Sequence, residues 1–307
     1  MSTSLQTQVG LSLKTQRILA MILLIAQGGI TVTGAIVRVT GSGLGCNTWP
    51  NCHEGSLVPV TGAAPMVQQF IEFGNRLLTF VVAAAALAVT VAMYKAKRRK
   101  ALKIYGWVSG FGIIAQAIIG GVSVLVNLRW YAVALHFLPS MILVWVAALF
   151  YMRIAEPDDV EPKQLYPQPV RIMSLIAAIC MSGVLITGTM VTGSGPHSGD
   201  KGVGMSGRLE VDTMVMTYIH ASLLYLFLAL VLVTAFMLYR YDAPIAAKKT
   251  AWVLLVLIAI QWMVGVAQVY MGVPRWTVPI HIGMSSLVVT FCGFLWANGR
   301  RRMPTLV

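Results

Sequence analysis

The stretch "IYGWVSGFGIIAQAIIGGVSVLVNL", residues 104–128, contains no Lys, Arg, Asp or Glu, and after the single Arg129 a second such stretch, "WYAVALHFLPSMILVWVAALFYM", runs over 130–152. A helix needs about 20 apolar residues to cross about 30 Å of hydrocarbon. Each stretch can therefore span a bilayer, with Arg129 in the link between them. Uncharged runs of the same kind occupy 18–37, 77–94, 172–199, 213–239, 250–274 and 276–299, and the one at 77–94 extends back through Glu72 to about Met66. Lipid offers no water to backbone N–H and C=O groups, so each span has to be continuous helix. The expected fold class is an all-α membrane protein of eight transmembrane helices.

Composition agrees. Of 307 residues, 57% are hydrophobic and 11% charged, where a soluble domain carries about 25% charged residues. A net charge of +13 raises the question of nucleic acid, but the charges are sorted by side. Lys14, Arg17, Lys95, Lys97, Arg98, Arg99, Lys100, Lys103, Arg153, Lys163, Arg171, Arg240, Lys248, Lys249, Arg300, Arg301 and Arg302 all fall on one face of the predicted topology. The opposite face has Arg38, Arg129, Lys201, Arg208 and Arg275. This is the positive-inside pattern, which puts both termini in the cytoplasm and reads "KAKRRK" at 95–100 as a topology signal, with the lipid bilayer and not nucleic acid as partner. The first apolar run lacks a small-residue cleavage motif and reads as a retained helix.

The chain repeats itself. Gln116 and Gln261, Gly120 and Gly265, His136 and His281, and Asn75 and His220 are each 145 positions apart, and "VTGSG" occurs at both 39–43 and 191–195. Two pseudo-symmetric four-helix bundles follow, residues 1–165 and 166–307, related by an axis along the membrane normal because four spans restore the starting orientation. The intraspan glycines, among them Gly28, Gly29, Gly106, Gly110, Gly120 and Gly121, read as close helix contacts.

Three of the five histidines, His136, His220 and His281, lie on even-numbered spans, about 6 to 10 Å from the outer helix ends at about 1.5 Å per residue. Polar groups at that depth usually mark a working site. Zinc would recruit thiolates, further histidines or carboxylates, of which the second half offers none within its spans besides buried cysteine, whereas a histidine on each of two facing helices can hold a haem by both axial positions. His220 and His281 are expected to do so, a pH-sensing or proton-relay pair being the alternative. Asn75 stands where His220 stands in the other half, opposite His136, and an amide is a poor iron ligand. A haem held there by His136 alone would keep an open face. Glu72 lies almost one helical turn before Asn75, and Arg76 four residues after Glu72. The pair is either an ion pair that lets two charges survive in the membrane or a catalytic acid or base with a cationic partner for itself or for a haem carboxylate. Arg38, Arg129 and Arg275, at outer helix ends, either bind haem propionates or snorkel to the interface. Cys46 and Cys52, both on the oxidising side, suggest a disulfide, either a staple or redox-active. Cys180 and Cys292 read as small buried hydrophobes; His53 and His197 read as solvated.

Taken together, "VRVTGSGLGC" at 37–46 with the second outer-loop cysteine, "IEFGNRLL" at 71–78, and "LH", "IH" and "IH" ending at 136, 220 and 281 resemble the haem A synthase family over nearly the whole chain. The resemblance implies a plasma-membrane oxidoreductase that converts haem O to haem A by oxidising the ring methyl at C8 to a formyl group. It implies haem B at His220 and His281 as an electron relay and substrate haem near Glu72, with the haem sites toward the outer leaflet. A hydrophobic, reactive substrate suggests direct handover from a haem O synthase, and a quinol or other electron donor is the candidate reductant. The family's commoner Glu-x-x-His-Arg here reads Glu72, Phe73, Gly74, Asn75, Arg76, without the histidine. A cytochrome b relay without chemistry of its own and a proton-coupled transporter are the competing readings. The relay leaves Glu72 and Asn75 unexplained, and the transporter lacks charged groups well inside the third to eighth spans.

Overall fold

A computed structural model describes residues 11–197 and 207–303; Lys201 and the last positions of the 172–199 run lie outside them. The described residues form α1 (Leu13–Val39), α2 (Met66–Lys95), α3 (Lys100–Leu125), α4 (Trp130–Ile154), α5 (Gln168–Ser194), α6 (Thr213–Arg240), α7 (Ile245–Tyr270) and α8 (Thr277–Asn298), all long and apolar enough to cross a membrane. Two short strands, β1 (Lys163–Gln164) and β2 (Arg300–Arg301), pair antiparallel. The chain is thus an all-α, multi-pass membrane protein.

Helix ends are set by local chemistry. Ser12 Oγ accepts from the Thr15 N–H at 3.1 Å and Asp212 Oδ1 from the Val215 N–H at 2.9 Å, satisfying free donors at the starts of α1 and α6. α2 begins at Met66 as expected, but α3 and α7 stop at Leu125 and Tyr270, short of the charged residues that end their hydropathy runs. The reason is a left-handed closing turn. Asn127 and Leu128 take φ of 55° and 54°, Gly272 and Val273 68° and 57°. The N–H groups of Leu128 and Val273 then reach back to Ser123 O at 2.8 Å and Gln268 O at 2.7 Å, using up carbonyls the helix leaves bare. α2 and α6 close in the same way at Lys97 and Asp242, with the Arg98 N–H on Met93 O and the Ala243 N–H on Leu238 O, both at 2.9 Å.

These features recur at the 145-residue spacing. So does the indole N–H of Trp107 donating to Tyr94 Oη at 2.9 Å, matched by Trp252 to Tyr239 at 2.8 Å. The ammonium groups of Lys103 and Lys248 lie over the same two tyrosine rings. Around the centre, α1, α4 and α8 pack on one another. There the Ser286 hydroxyl contacts Met141 Sδ at 3.8 Å, and a methyl at Gly293 would stand 3.2 Å from Ala148 Cβ. Both pairs join positions 145 apart, and small residues allow the close approach. Phe80, Phe236 and Ile25 face outward, as a lipid surround permits.

At the basic end the chain is tied by ion pairs that local sequence reading took for topology alone. Arg98 donates to Asp158 Oδ2 at 2.7 Å and to the carbonyls of Ile154 and Glu156; Arg99 pairs with Asp158 at 2.8 Å and with the buried Glu156 at 3.0 Å. Arg153 also pairs with Glu156, and Tyr166 Oη donates to Leu295 O at 2.7 Å. The α2–α3 turn, the α4–α5 link and the end of α8 are thereby locked together. Burial works against the charge on Asp158, but the hydrogen bonds from Arg98 and Arg99 outweigh it and hold the carboxyl below its ordinary value. A lowered carboxyl stabilises the fold above the unfolded value of about 3.9 and loses that contribution as pH falls through the folded value. Asp158→Asn should therefore melt earlier than the parent in detergent at neutral pH, with the gap closing as the buffer is taken below about pH 3.9. A gap that stays constant with pH would contradict this.

Candidate functional site

α6 and α8 bring His220 and His281 face to face, with ring centroids 6.4 Å apart and planes at 58°. Two imidazole nitrogens each about 2 Å from one metal, plus about 1.1 Å from nitrogen to ring centre, give rings about 6 Å apart. The observed spacing accommodates one iron. The His220 Nδ1–H donates to Val184 O at 3.0 Å, with Thr187 Oγ1 at 3.3 Å, which keeps the Nε2 lone pair free for a metal. All three intraspan histidines rest on a glycine of the preceding helix. A methyl at Gly188 would stand 3.2 Å from His220 Cε1, at Gly265 3.4 Å from His281 Cε1, and at Gly120 3.0 Å from His136 Cε1. Sequence reading had taken Gly120 as helix packing; its hydrogen instead admits an imidazole ring.

Behind His281 stands Gln261, known from the sequence only as a marker of the repeat. Its Nε2–H groups donate to His281 O at 3.1 Å and Ser285 Oγ at 2.9 Å, and the Ser285 hydroxyl donates to His281 O at 2.9 Å. Ser140 makes the same bond to His136 O at 3.0 Å. Among the described residues, Nδ1 of both His136 and His281 is buried without a hydrogen-bond partner.

In the first half the counterpart of the Thr187 to His220 contact is a hydrogen bond from Thr33 Oγ1 to Asn75 Oδ1 at 2.7 Å. One turn outward, Glu72 is buried with both oxygens engaged: Oε1 takes the Arg76 guanidinium at 2.7 Å and Oε2 the Cys46 N–H at 2.6 Å. Arg76 also donates to the carbonyls of Cys46, Thr48 and Asn51 at 3.1, 2.9 and 3.0 Å. The Glu72–Arg76 pair thus clamps the loop closed by the Cys46–Cys52 disulfide. The Trp49 ring in that loop packs where a side chain at Gly121 would go, beside the Gly120 that carries His136. The outer loop therefore leans on the first-half pocket.

The outer arginines differ from one another. Arg38 donates to His197 O at 2.7 Å and Thr192 O at 3.1 Å, joining α1 to the end of α5. Arg129 and Arg275 are exposed at the starts of α4 and α8, and among the described residues neither guanidinium has a hydrogen-bond or ion-pair partner. Arg208, which sequence reasoning missed, caps α5 through Ser194 O and Gly195 O at 2.6 and 2.7 Å. His53 and His197 are not loosely solvated. His53 is buried with its ring nitrogens 3.0 Å from Asn47 Oδ1 and 2.8 Å from Gln69 Oε1, and His197 Nε2 lies 2.8 Å from Val273 O.

Among the described residues no three His, Cys, Asp or Glu side chains gather as a metal-ligand set. What α6 and α8 offer is two facing imidazoles, glycine cradles and an imidazole nitrogen without a partner, a donor set that fits an iron whose other four ligands come from a porphyrin. Fold and site define a polytopic membrane protein with a facing pair of histidines inside its helical bundle. The family model described as cytochrome oxidase assembly protein, COX15-CtaA, matches residues 17–292, and the chain belongs to that family. Among its relatives, the Heme A synthase of Lysinibacillus sphaericus is 40% identical over 42% of this chain and 41% of its own length. That of Exiguobacterium sibiricum is 29% identical over 53% and 54%, and that of Listeria monocytogenes 26% identical over 90% and 92%. The first two alignments span about half or less of the relatives they match.

Proposed function

We propose that this protein is a haem A synthase of the plasma membrane, oxidising the C8 methyl of haem O to the formyl group of haem A. The single observation that carries the reading is the His220–His281 pair, its centroids 6.4 Å apart, in a chain whose family model covers residues 17–292. Residues 166–307 form the half that holds haem B through His220 and His281; residues 1–165 form the half that takes haem O through His136. The recurrence of helix caps, of the Tyr94–Trp107 and Tyr239–Trp252 pairs and of the Met141–Ser286 contact supports two pseudo-symmetric bundles about an axis between α4 and α8. The charge distribution supports cytoplasmic termini and haem sites toward the outer leaflet.

Haem B held by His220 and His281 would supply one-electron transfer, and a haem held by His136 would supply an iron site for oxygen chemistry. The chain's own work is positional. Val184 O fixes the tautomer of His220, and the glycines at 188, 265 and 120 set the height of the three rings. Asn75, held by Thr33, keeps a fourth imidazole away from the substrate. Glu72 is the proposed acid or base. Since both its oxygens are already engaged, it meets the substrate by exchanging one of those bonds, with Arg76 compensating its charge. Arg129 and Arg275 are free to meet propionates at the outer face, and Arg38 can do so beside its bonds to α5. A haem O synthase would supply the substrate, a quinol or similar donor would supply electrons to haem B, and molecular oxygen would be the oxidant that takes the methyl to the formyl group.

Extraction of the pigments of the purified protein, with each porphyrin identified by chromatography and mass, tests the reading. Haem B together with haem O, its hydroxylated form or haem A is expected; haem B alone would favour a relay, and no porphyrin would leave transport. Asn75→His should convert the first-half iron to a six-coordinate low-spin form. An unchanged visible and magnetic-resonance spectrum would count against the open face.

A further inference from the structure

Two glutamines and two histidines in this structure are left incomplete in a complementary way. Gln261 lies on α7, 20 positions before His281 on α8, and Gln116 on α3, 20 before His136 on α4. Both glutamines are more than nine-tenths buried. The Gln261 amide is oriented without ambiguity, because His281 O can only accept; the atom 3.1 Å from it is the amide nitrogen. Among the described residues, that leaves Gln261 Oε1 as a buried acceptor with no donor, and His281 Nδ1, on the residue whose carbonyl the same amide already holds, as a buried ring nitrogen with no partner. In the first half Gln116 Oε1 and Nε2 and His136 Nδ1 likewise have no partner among the described residues. A buried polar group left unpaired is costly, so the oxygen and ring nitrogen repeated at matching positions of the two halves call for an explanation. His220 differs: its Nδ1 already has Val184 O.

We infer that Gln261 and Gln116 are positioning residues that accept the Nδ1–H of His281 and His136 once those rings bind iron through Nε2. The inference rests on the haem reading above. An imidazole that ligates metal through Nε2 carries its proton on Nδ1 and almost always donates it to an oxygen, which fixes the ring and raises its basicity. Val184 O does this for His220; for the histidines on α4 and α8, the glutamine on α3 or α7 one turn before the supporting glycine has the only uncommitted side-chain oxygen among the buried unpartnered atoms of its helix pair. The oxygen and the ring nitrogen are not bonded to each other in this structure, and the contact would close as iron orients the ring. Each histidine ligand would then have its own oxygen partner.

The test is the midpoint potential of the second-half haem in purified holoprotein, for the parent, Gln261→Leu, Gln261→Glu and Ser285→Ala. Removing an acceptor behind a ligand weakens its donation and favours ferrous iron; a carboxylate does the opposite. We expect the ferrous-to-ferric ratio at a fixed applied potential to rise about fivefold in Gln261→Leu, as loss of a hydrogen bond of about 1 kcal/mol implies, and to fall in Gln261→Glu. Ser285→Ala, which removes the bond to Oγ but leaves Oε1 in place, should match the parent. A purely structural glutamine would lower haem content and melting temperature without ordering the potentials, and equal potentials in the parent, Gln261→Leu and Gln261→Glu would overturn the inference. A parent preparation without porphyrin would overturn the haem reading itself, a distinguishable result.

Discussion

Replacing His281 by alanine should strip the second half of its haem while leaving the eight helices in place. The expectation follows from which atoms of His281 are used. Gln261 and Ser285 both bond to its backbone carbonyl, which alanine retains, and only the ring faces His220. Loss of outer partners to a metal ligand already costs 10- to 100-fold in affinity, so loss of the ligand itself should cost more than about 100-fold. The purified variant should show the low-spin signal of the second-half haem gone and one porphyrin fewer per chain, with helical circular dichroism unchanged. His220→Ala should behave alike, while His136→Ala should spare this signal and remove pigment from the first half. A His281→Ala protein with full pigment and an unaltered spectrum would refute axial ligation by this pair.

Much of this was legible in the sequence, because membrane helices write themselves in hydropathy and because a duplicated chain repeats its polar residues. The eight spans, the start of α2 at Met66 despite Glu72 and Arg76, the facing of His220 and His281, and the Cys46–Cys52 bond needed only local pattern and one offset. What stayed hidden depends on contacts between distant segments. Nothing near Arg98 and Arg99 announces that Glu156 and Asp158 will bury against them, so a structural clamp looked like a topology signal. Leu128 and Val273 give no hint of a left-handed turn, since such positions usually take glycine or asparagine. The glycines at 120, 188 and 265 fit the general rule of close helix contact, and only coordinates reveal that the neighbour is a ring. Likewise Arg76 was free to be a haem partner on paper, whereas its hydrogens go to the carbonyls of the disulfide loop.

That last contact gives Glu72 two separable duties, and substitution should divide them. Glu72→Ala removes the acceptor for the Cys46 N–H and leaves the Arg76 guanidinium, only partly exposed, without its counter-charge. Breaking one side of a buried pair costs about 3–5 kcal/mol. The three loop carbonyls that still hold Arg76 put the expected loss at the low end of that range. The variant should unfold earlier and be cut more readily by protease between residues 46 and 52. Glu72→Gln keeps an oxygen for the Cys46 N–H and a helix-compatible shape but turns an amide NH2 toward Arg76 and removes its counter-charge, so the loop should be loosened less than in Glu72→Ala. What it cannot do is carry a proton or a negative charge, and loss of a positioned acid or base costs about 10²- to 10⁴-fold in turnover. The informative comparison is therefore haem A formed per minute against protease resistance, measured on the same two variants. If Glu72→Gln converts haem O at the parental rate with an intact loop, Glu72 is a clamp for the outer loop and the acid or base lies elsewhere. If it is folded, loaded and inactive, the carboxylate belongs to the chemistry.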